Sequence, residues 1–134
     1  MLEYQGWFVI RESYSEQDES EEKLESIWKT LKVHVGNINY NRKAEICQMK
    51  ITNGDYKLMI AGMDNHKSSS WVELLQLLDW IATESKGSYG LLHFYDDEDK
   101  NGLDNQFQVI VLKKGKISFE LDTFLSPYNP EVEE

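Results

Sequence analysis

Apolar and polar residues alternate with a period of two over residues 2–12. Trp7, Val9 and Arg11 fall on one face, with Phe8 and Ile10 on the other, which predicts a first strand. Large apolar groups on both faces place that strand inside a sheet rather than at its edge. The period then lengthens. Leu24, Ile27, Trp28, Leu31 and Val35 follow the i, i+3, i+4, i+7, i+11 spacing of a helix face. Acids crowd the start of this helix and Lys29 and Lys32 lie toward its end, the arrangement the helix dipole favours. Gly36 is the predicted stop, and residues 36–43 read as a polar connection.

Alternation returns over residues 44–52, with Cys47, Met49 and Ile51 on one face. Asn53-Gly54 then supplies the positive φ angles of a tight hairpin turn, and residues 56–63 form the returning strand. Ser70 and Glu73 have the spacing of a capping box opening a second helix, with Gly87 as its stop. Val72, Leu74, Leu75, Leu77, Leu78, Ile81 and Ala82 give that helix a wide apolar face. Three strands follow, at 89–95, 105–113 and 116–121, the last two joined around Lys114-Gly115. In the tail, Phe124, Leu125 and Tyr128 are expected to pin the first half, while residues 129–134 are expected to fray. The order β-α-β-β-α-β-β-β, rich in hairpins, predicts an α+β fold: a mainly antiparallel sheet with two packed helices, spanning 1–134 as one domain.

Composition narrows the class. Apolar residues make up 40% of 134 positions and aromatics 12%, enough to pack a core. The net charge of -10 excludes nucleic acid and anionic membrane as direct partners, because both demand Lys and Arg, and it favours a basic protein. A single cysteine, Cys47, rules out an internal disulfide and reads as a core thiol. No apolar run approaches the ~18 residues of a membrane span, and no signal peptide is evident. The expectation is a soluble cytoplasmic protein, a monomer or weak dimer.

The densest charge is Asp96-Asp97-Glu98-Asp99, between two predicted strands. Repulsion among neighbouring acids gains the fold nothing, so a device for meeting a positive partner, a metal site and a solvated turn all compete. Asp97, Asp99, Asn101 and Gly102 match positions 1, 3, 5 and 6 of a calcium loop, but Gln108 replaces the bidentate carboxylate and the flanks are strands. Asn101-Gly102 as turn-formers explain the same residues. His34, His66 and His93 show no metal or catalytic spacing, and there is no nucleophile elbow or phosphate loop. No catalytic residue, metal or cofactor is expected. Trp28 and Trp71 belong to the core, whereas Trp80 lies on the less apolar side of its helix and is a candidate anchor. Glu16, Asp18, Glu19 and Glu22, before and at the first helix, form a second acidic stretch, and Asp104 extends the loop.

Taken together, Gly6-Trp7 with the strand running to Arg11-Glu12-Ser13, Gly90-Leu91-Leu92 running into Asp96–Asp99, Asn105-x-Phe107-x-Val109, and Asp122-x-Phe124-Leu125-Ser126-Pro127 resemble the immunity protein 7 family of bacterial polymorphic toxin systems. The resemblance implies a non-enzymatic α+β protein that binds the C-terminal domain of a cognate toxin in the cytoplasm. Such toxins are often nucleases, many carried by LXG-type effectors. The expected contact residues are Asp96, Asp97, Glu98, Asp99, Asp104, Glu16, Asp18, Glu19, Glu22 and Trp80. They would occlude a basic surface of the toxin. An acidic adaptor for an unrelated protein and a calcium-binding loop are the alternatives.

Overall fold

The computed structural model describes residues 1–13, 15 and 20–130. Eight elements follow in the expected order: β1 (Leu2–Ile10), α1 (Glu21–Arg42), β2 (Cys47–Thr52), β3 (Asp55–Asp64), α2 (Ser69–Glu84), β4 (Tyr89–Asp96), β5 (Phe107–Lys113) and β6 (Lys116–Leu121). The strands make one antiparallel sheet in the order β2-β3-β1-β4-β5-β6, so β1 lies inside it, paired on both sides. Both helices pack on one face. Tyr4, Phe8 and Ile10 of β1, Leu58 and Ile60 of β3, Leu92 and Phe94 of β4 and Ile110 of β5 point to that side. They meet Trp28, Leu31 and Val35 of α1 and Trp71, Leu74, Leu78 and Ile81 of α2 in one core. Cys47 sits in this core, and burial pushes its thiol up to about 11.

Turn chemistry is as the residues demand. Asn53 and Gly54 both have positive φ, at 51° and 84°, and Lys114 and Gly115 repeat this at 50° and 70°. Two helix boundaries differ from expectation. Helix α1 does not stop at Gly36 but runs to Arg42, and Lys43 closes it in the left-handed conformation with its N–H on the Asn39 and Tyr40 carbonyls. Ile38 continues the buried stripe of Leu24, Trp28, Leu31 and Val35, and that burial outweighs one weak residue. Gly36 faces open space, with nothing within 4 Å of an added Cβ. Gly36→Ala is therefore expected to raise stability by about 0.5–1 kcal/mol, read as a higher urea midpoint with an unchanged slope. Helix α2 starts two residues earlier than its apparent capping box. The N-cap is Ser68, whose hydroxyl accepts from the Ser70 N–H, while Glu73 accepts from the Asn41 amide at 2.8 Å instead of folding back.

A buried polar cluster ties the end of α1 to the sheet. The Arg42 side chain is 6% exposed and pairs with Asp64 at 3.1 Å, while also donating to the Tyr4 hydroxyl. Burial, offset in part by Arg42, leaves the Tyr4 phenol raised to about 12. The sequence marks none of this, because Arg42 falls within the expected loop and its partners lie 38 and 22 positions away.

Candidate interaction surfaces

The acidic segment starts as strand and ends as loop. Asp96 is the last residue of β4 and is 3% exposed; it is not the surface acid expected of it. Its register opposite Leu2 turns the side chain to the helix face. There one carboxylate oxygen accepts the Glu98 N–H at 3.0 Å and the other meets Lys67 at 3.5 Å. Asp99 is likewise spent on structure. Its carboxylate accepts the N–H groups of Asn101 (2.7 Å) and Leu103 (3.3 Å) and the Gln108 amide (3.4 Å). Partial burial acts to raise this carboxyl, but those donors outweigh it and hold it below its ordinary value. Gly102, at φ 84°, completes the turn.

The acids left at the surface are Asp97, Glu98 and Asp104. Glu98 meets His66 at 2.7 Å and the amino group of Met1 at 3.2 Å, and Asp97 meets that amino group at 2.7 Å. The His66 hydrogen bond, with the Met1 amino group second, lowers the Glu98 carboxyl from its ordinary value. Among the described residues no group of three or more His, Cys, Asp or Glu is placed to hold a metal ion. The flanks of the calcium-like sequence are strands β4 and β5, and the Asp99 oxygens already accept three donors.

The loop is fastened to the tail. Asn105 and Asn129 exchange two hydrogen bonds, at 2.7 and 3.1 Å, and the Tyr128 ring stacks on Tyr95 at 4.0 Å. Ser126 accepts the Phe107 N–H at 2.9 Å, Asp122 accepts the N–H groups of Phe124 and Leu125, and the Ser126–Pro127 bond is cis. Tyr128 therefore pins the tail as expected, but Phe124 does not. Its backbone N–H is held by Asp122, yet the residue is 93% exposed.

The other candidates lie elsewhere. Glu22 is exposed in the first turn of α1, whose start is tied to Glu12 beyond the C-terminal end of β1. The acidic loop follows Asp96, opposite Leu2 at the other end of β1. The length of a nine-residue strand, roughly 30 Å, separates the two. Glu16, Asp18 and Glu19 lie outside the described residues. Trp80 is half-buried, edge-on to His34 at 4.9 Å, in a groove of about 340 Å³ between the helices. The loop, the start of α1 and Trp80 do not form one patch.

The family model for immunity protein 7 matches residues 1–134, the whole chain. The chain belongs to the immunity protein 7 family. No curated protein and no solved structure matches it. As a member of that family it is an immunity protein, whose partner is a cognate toxin. Among the described residues no helix is long and apolar enough to cross a membrane.

The sheet face away from the helices is an exposed apolar surface that residue-by-residue reading of the acids misses. Trp7, 43% exposed, stands there with Met59 and Leu91 as its direct cross-strand neighbours, and Leu91 pairs in turn with Val111. Tyr89 meets the Trp7 ring edge-on at 6.2 Å. The available signal was in β1 itself. Two helices cover one face of a sheet, yet β1 carries bulky apolar groups on both.

Proposed function

We propose that this immunity protein neutralises a nuclease domain of a secreted polymorphic effector of the LXG type, in the cytoplasm, by covering a basic surface rather than by catalysis. The observation that carries the reading is the acidic loop. Asp97, Glu98 and Asp104 stand at the surface of a turn that Asp96 and Asp99 hold from within. A nuclease holds phosphate with cationic side chains, and a prearranged anionic rim meets such a surface without first having to be ordered. The net charge of -10 adds long-range steering toward it. Rim charges act mainly on the association rate, so the acids set how fast the toxin is caught and apolar anchors set how long it stays.

Two measurements test this. Co-expression with the toxin domain encoded beside the chain is expected to restore growth, and continued killing by every neighbouring toxin domain overturns the reading. With Asp97, Glu98 and Asp104 changed together to Ser, and Asp96 and Asp99 left to hold the turn, association at low salt is expected to slow about tenfold. Most of its salt dependence is expected to disappear as well. Unchanged association kinetics moves the contact away from this loop.

A further inference from the structure

The open face of the sheet carries a charge pattern as well as an apolar centre. Residues paired directly across antiparallel strands point to the same side, so the register orders this face into rows. The central row is Gln48, Met59, Trp7, Leu91, Val111 and Ser118. One step toward the C-terminal end of β1 the row contains Lys50 paired with Lys57, Lys57 with Val9, Val9 with Tyr89, and Lys113 with Lys116. Four of the fourteen Lys and Arg residues of a chain of net charge -10 thus stand in one row. Lys50 and Lys57 are directly opposed, an arrangement that destabilises a sheet. Asp55, in the hairpin turn beyond them, offsets part of this charge, and Glu12 and the acidic first turn of α1 lie past the C-terminal end of β1.

The opposite end has the other sign. Glu3 stands between Met63 and Tyr95, Glu120 lies opposite Val109, and exposed Asp104 follows in the loop beyond, with Asp97 paired to the Met1 amino group. Tyr128 of the tail covers the Tyr95–Phe107 corner, and Leu125 lines a small pocket with Glu3, Gln5 and His93. Met63, Met59, Trp7 and Tyr89 remain exposed.

We infer that this face is the interface of a symmetric homodimer, in which a second copy packs sheet to sheet with its strands reversed. A two-fold axis lying across the strands, close to the Met59–Trp7–Leu91 row, sets each apolar centre against the other and brings the lysine row of each copy over the Glu3 end of its mate. A face with apolar middle and opposite charges at its two ends is complementary to itself under that operation. A basic partner of the kind the acidic loop suits is repelled by the lysine row, so the second copy fits this face better than such a toxin. The dimer leaves α1, α2 and their groove on the outside.

Sedimentation of the full chain alone, from low to high micromolar concentration, tests the inference without involving any toxin. The expected result is a concentration-dependent rise from one chain mass to two. Trp7→Glu and, independently, Lys57→Glu are each expected to weaken association at least about tenfold. Lys57→Glu combined with Glu3→Lys is expected to recover most of the loss. Lys57→Glu changes only a side chain on the open face, so it stays informative if Trp7→Glu compromises folding. A single chain mass at every concentration overturns the inference, as does a dimer indifferent to both substitutions. A chain that is monomeric alone and buries Trp7 only on adding toxin also overturns it, and assigns the face to the toxin. The acidic-loop association kinetics are a separate measurement, read at concentrations where the chain has a single mass, so failure of the dimer and failure of the loop reading are told apart.

Discussion

Asp64→Ala is expected to lower the unfolding free energy by about 3–5 kcal/mol, because it leaves the Arg42 guanidinium buried without its carboxylate. That guanidinium is held by Asp64 at 3.1 and 3.2 Å and by the Tyr4 hydroxyl, and its Nε and Nη2 have no hydrogen-bond partner among the described residues. Among the described residues, Asp64 is its one counter-charge in ion-pair contact. Arg42→Met is expected to be distinctly milder. It removes the buried charge itself, keeps an apolar stem of similar length, and leaves Asp64 at 23% exposure, able to take water. Urea unfolding of the two variants checks the order, and an Arg42→Met variant as unstable as Asp64→Ala contradicts it. The cluster joins the last turn of α1, the start of β1 and the end of β3, so its loss loosens the corner where helix meets sheet.

Gly6→Ala and Gly90→Ala are each expected to destabilise by more than about 3 kcal/mol, enough to leave little folded protein at physiological temperature. The reason is backbone crowding. A Cβ on Gly6 stands against the Leu91 carbonyl oxygen and the Leu92 Cα, and a Cβ on Gly90 against the Trp7 carbonyl oxygen and Phe8. The obstacle is main chain of the paired strand, which cannot rotate out of the way. Gly62→Ala meets the buried Tyr4 ring instead, a side chain held by Arg42 and Trp71 but able to yield more than paired main chain, and is expected to cost less. Circular dichroism melting curves separate the three, with Gly62→Ala melting highest.

These glycines also explain part of the family pattern. Gly6 and Gly90 let β1 and β4 approach, and Glu12 accepts the N–H of the α1 N-cap residue. Asn105, Asp122 and Ser126 build the clasp between loop and tail. The residues by which the resemblance was seen are thus largely architectural, so the family was legible without any contact surface being so. Recognition chemistry varies with the partner, while main-chain approaches and turn caps do not.

Local chemistry was a good guide where one local interaction governs. Asn53-Gly54 and Lys114-Gly115 adopt the turns their φ demands require, and Trp28 and Trp71 are buried as their helix faces imply. It failed where a distant contact intervenes. Gly36 would stop an isolated helix, but the burial of Ile38 carries α1 past it. Ser70 and Glu73 have the spacing of a cap, but Ser68 has the geometry and Asn41 claims Glu73. Asp96 looks like one acid among four, yet the strand register turns it inward onto Lys67. Phe124 looks like an anchor, and its backbone is the part that is held.

The sequence by itself determined the order of the elements, the class of fold, the placement of β1 inside the sheet and the family. All of these follow from periodicity, turn residues and a recurrent motif set, which are local or ordered along the chain. Only the tertiary structure decided which charges reach the surface together. It set the acidic loop and the start of α1 at opposite ends of the sheet, spent Asp96 and Asp99 on holding a turn, and aligned lysines from four strands in one row. Cross-strand register is the physical reason, since it is fixed by pairings between residues far apart in sequence, and it determines the face and the neighbours of every side chain on the sheet.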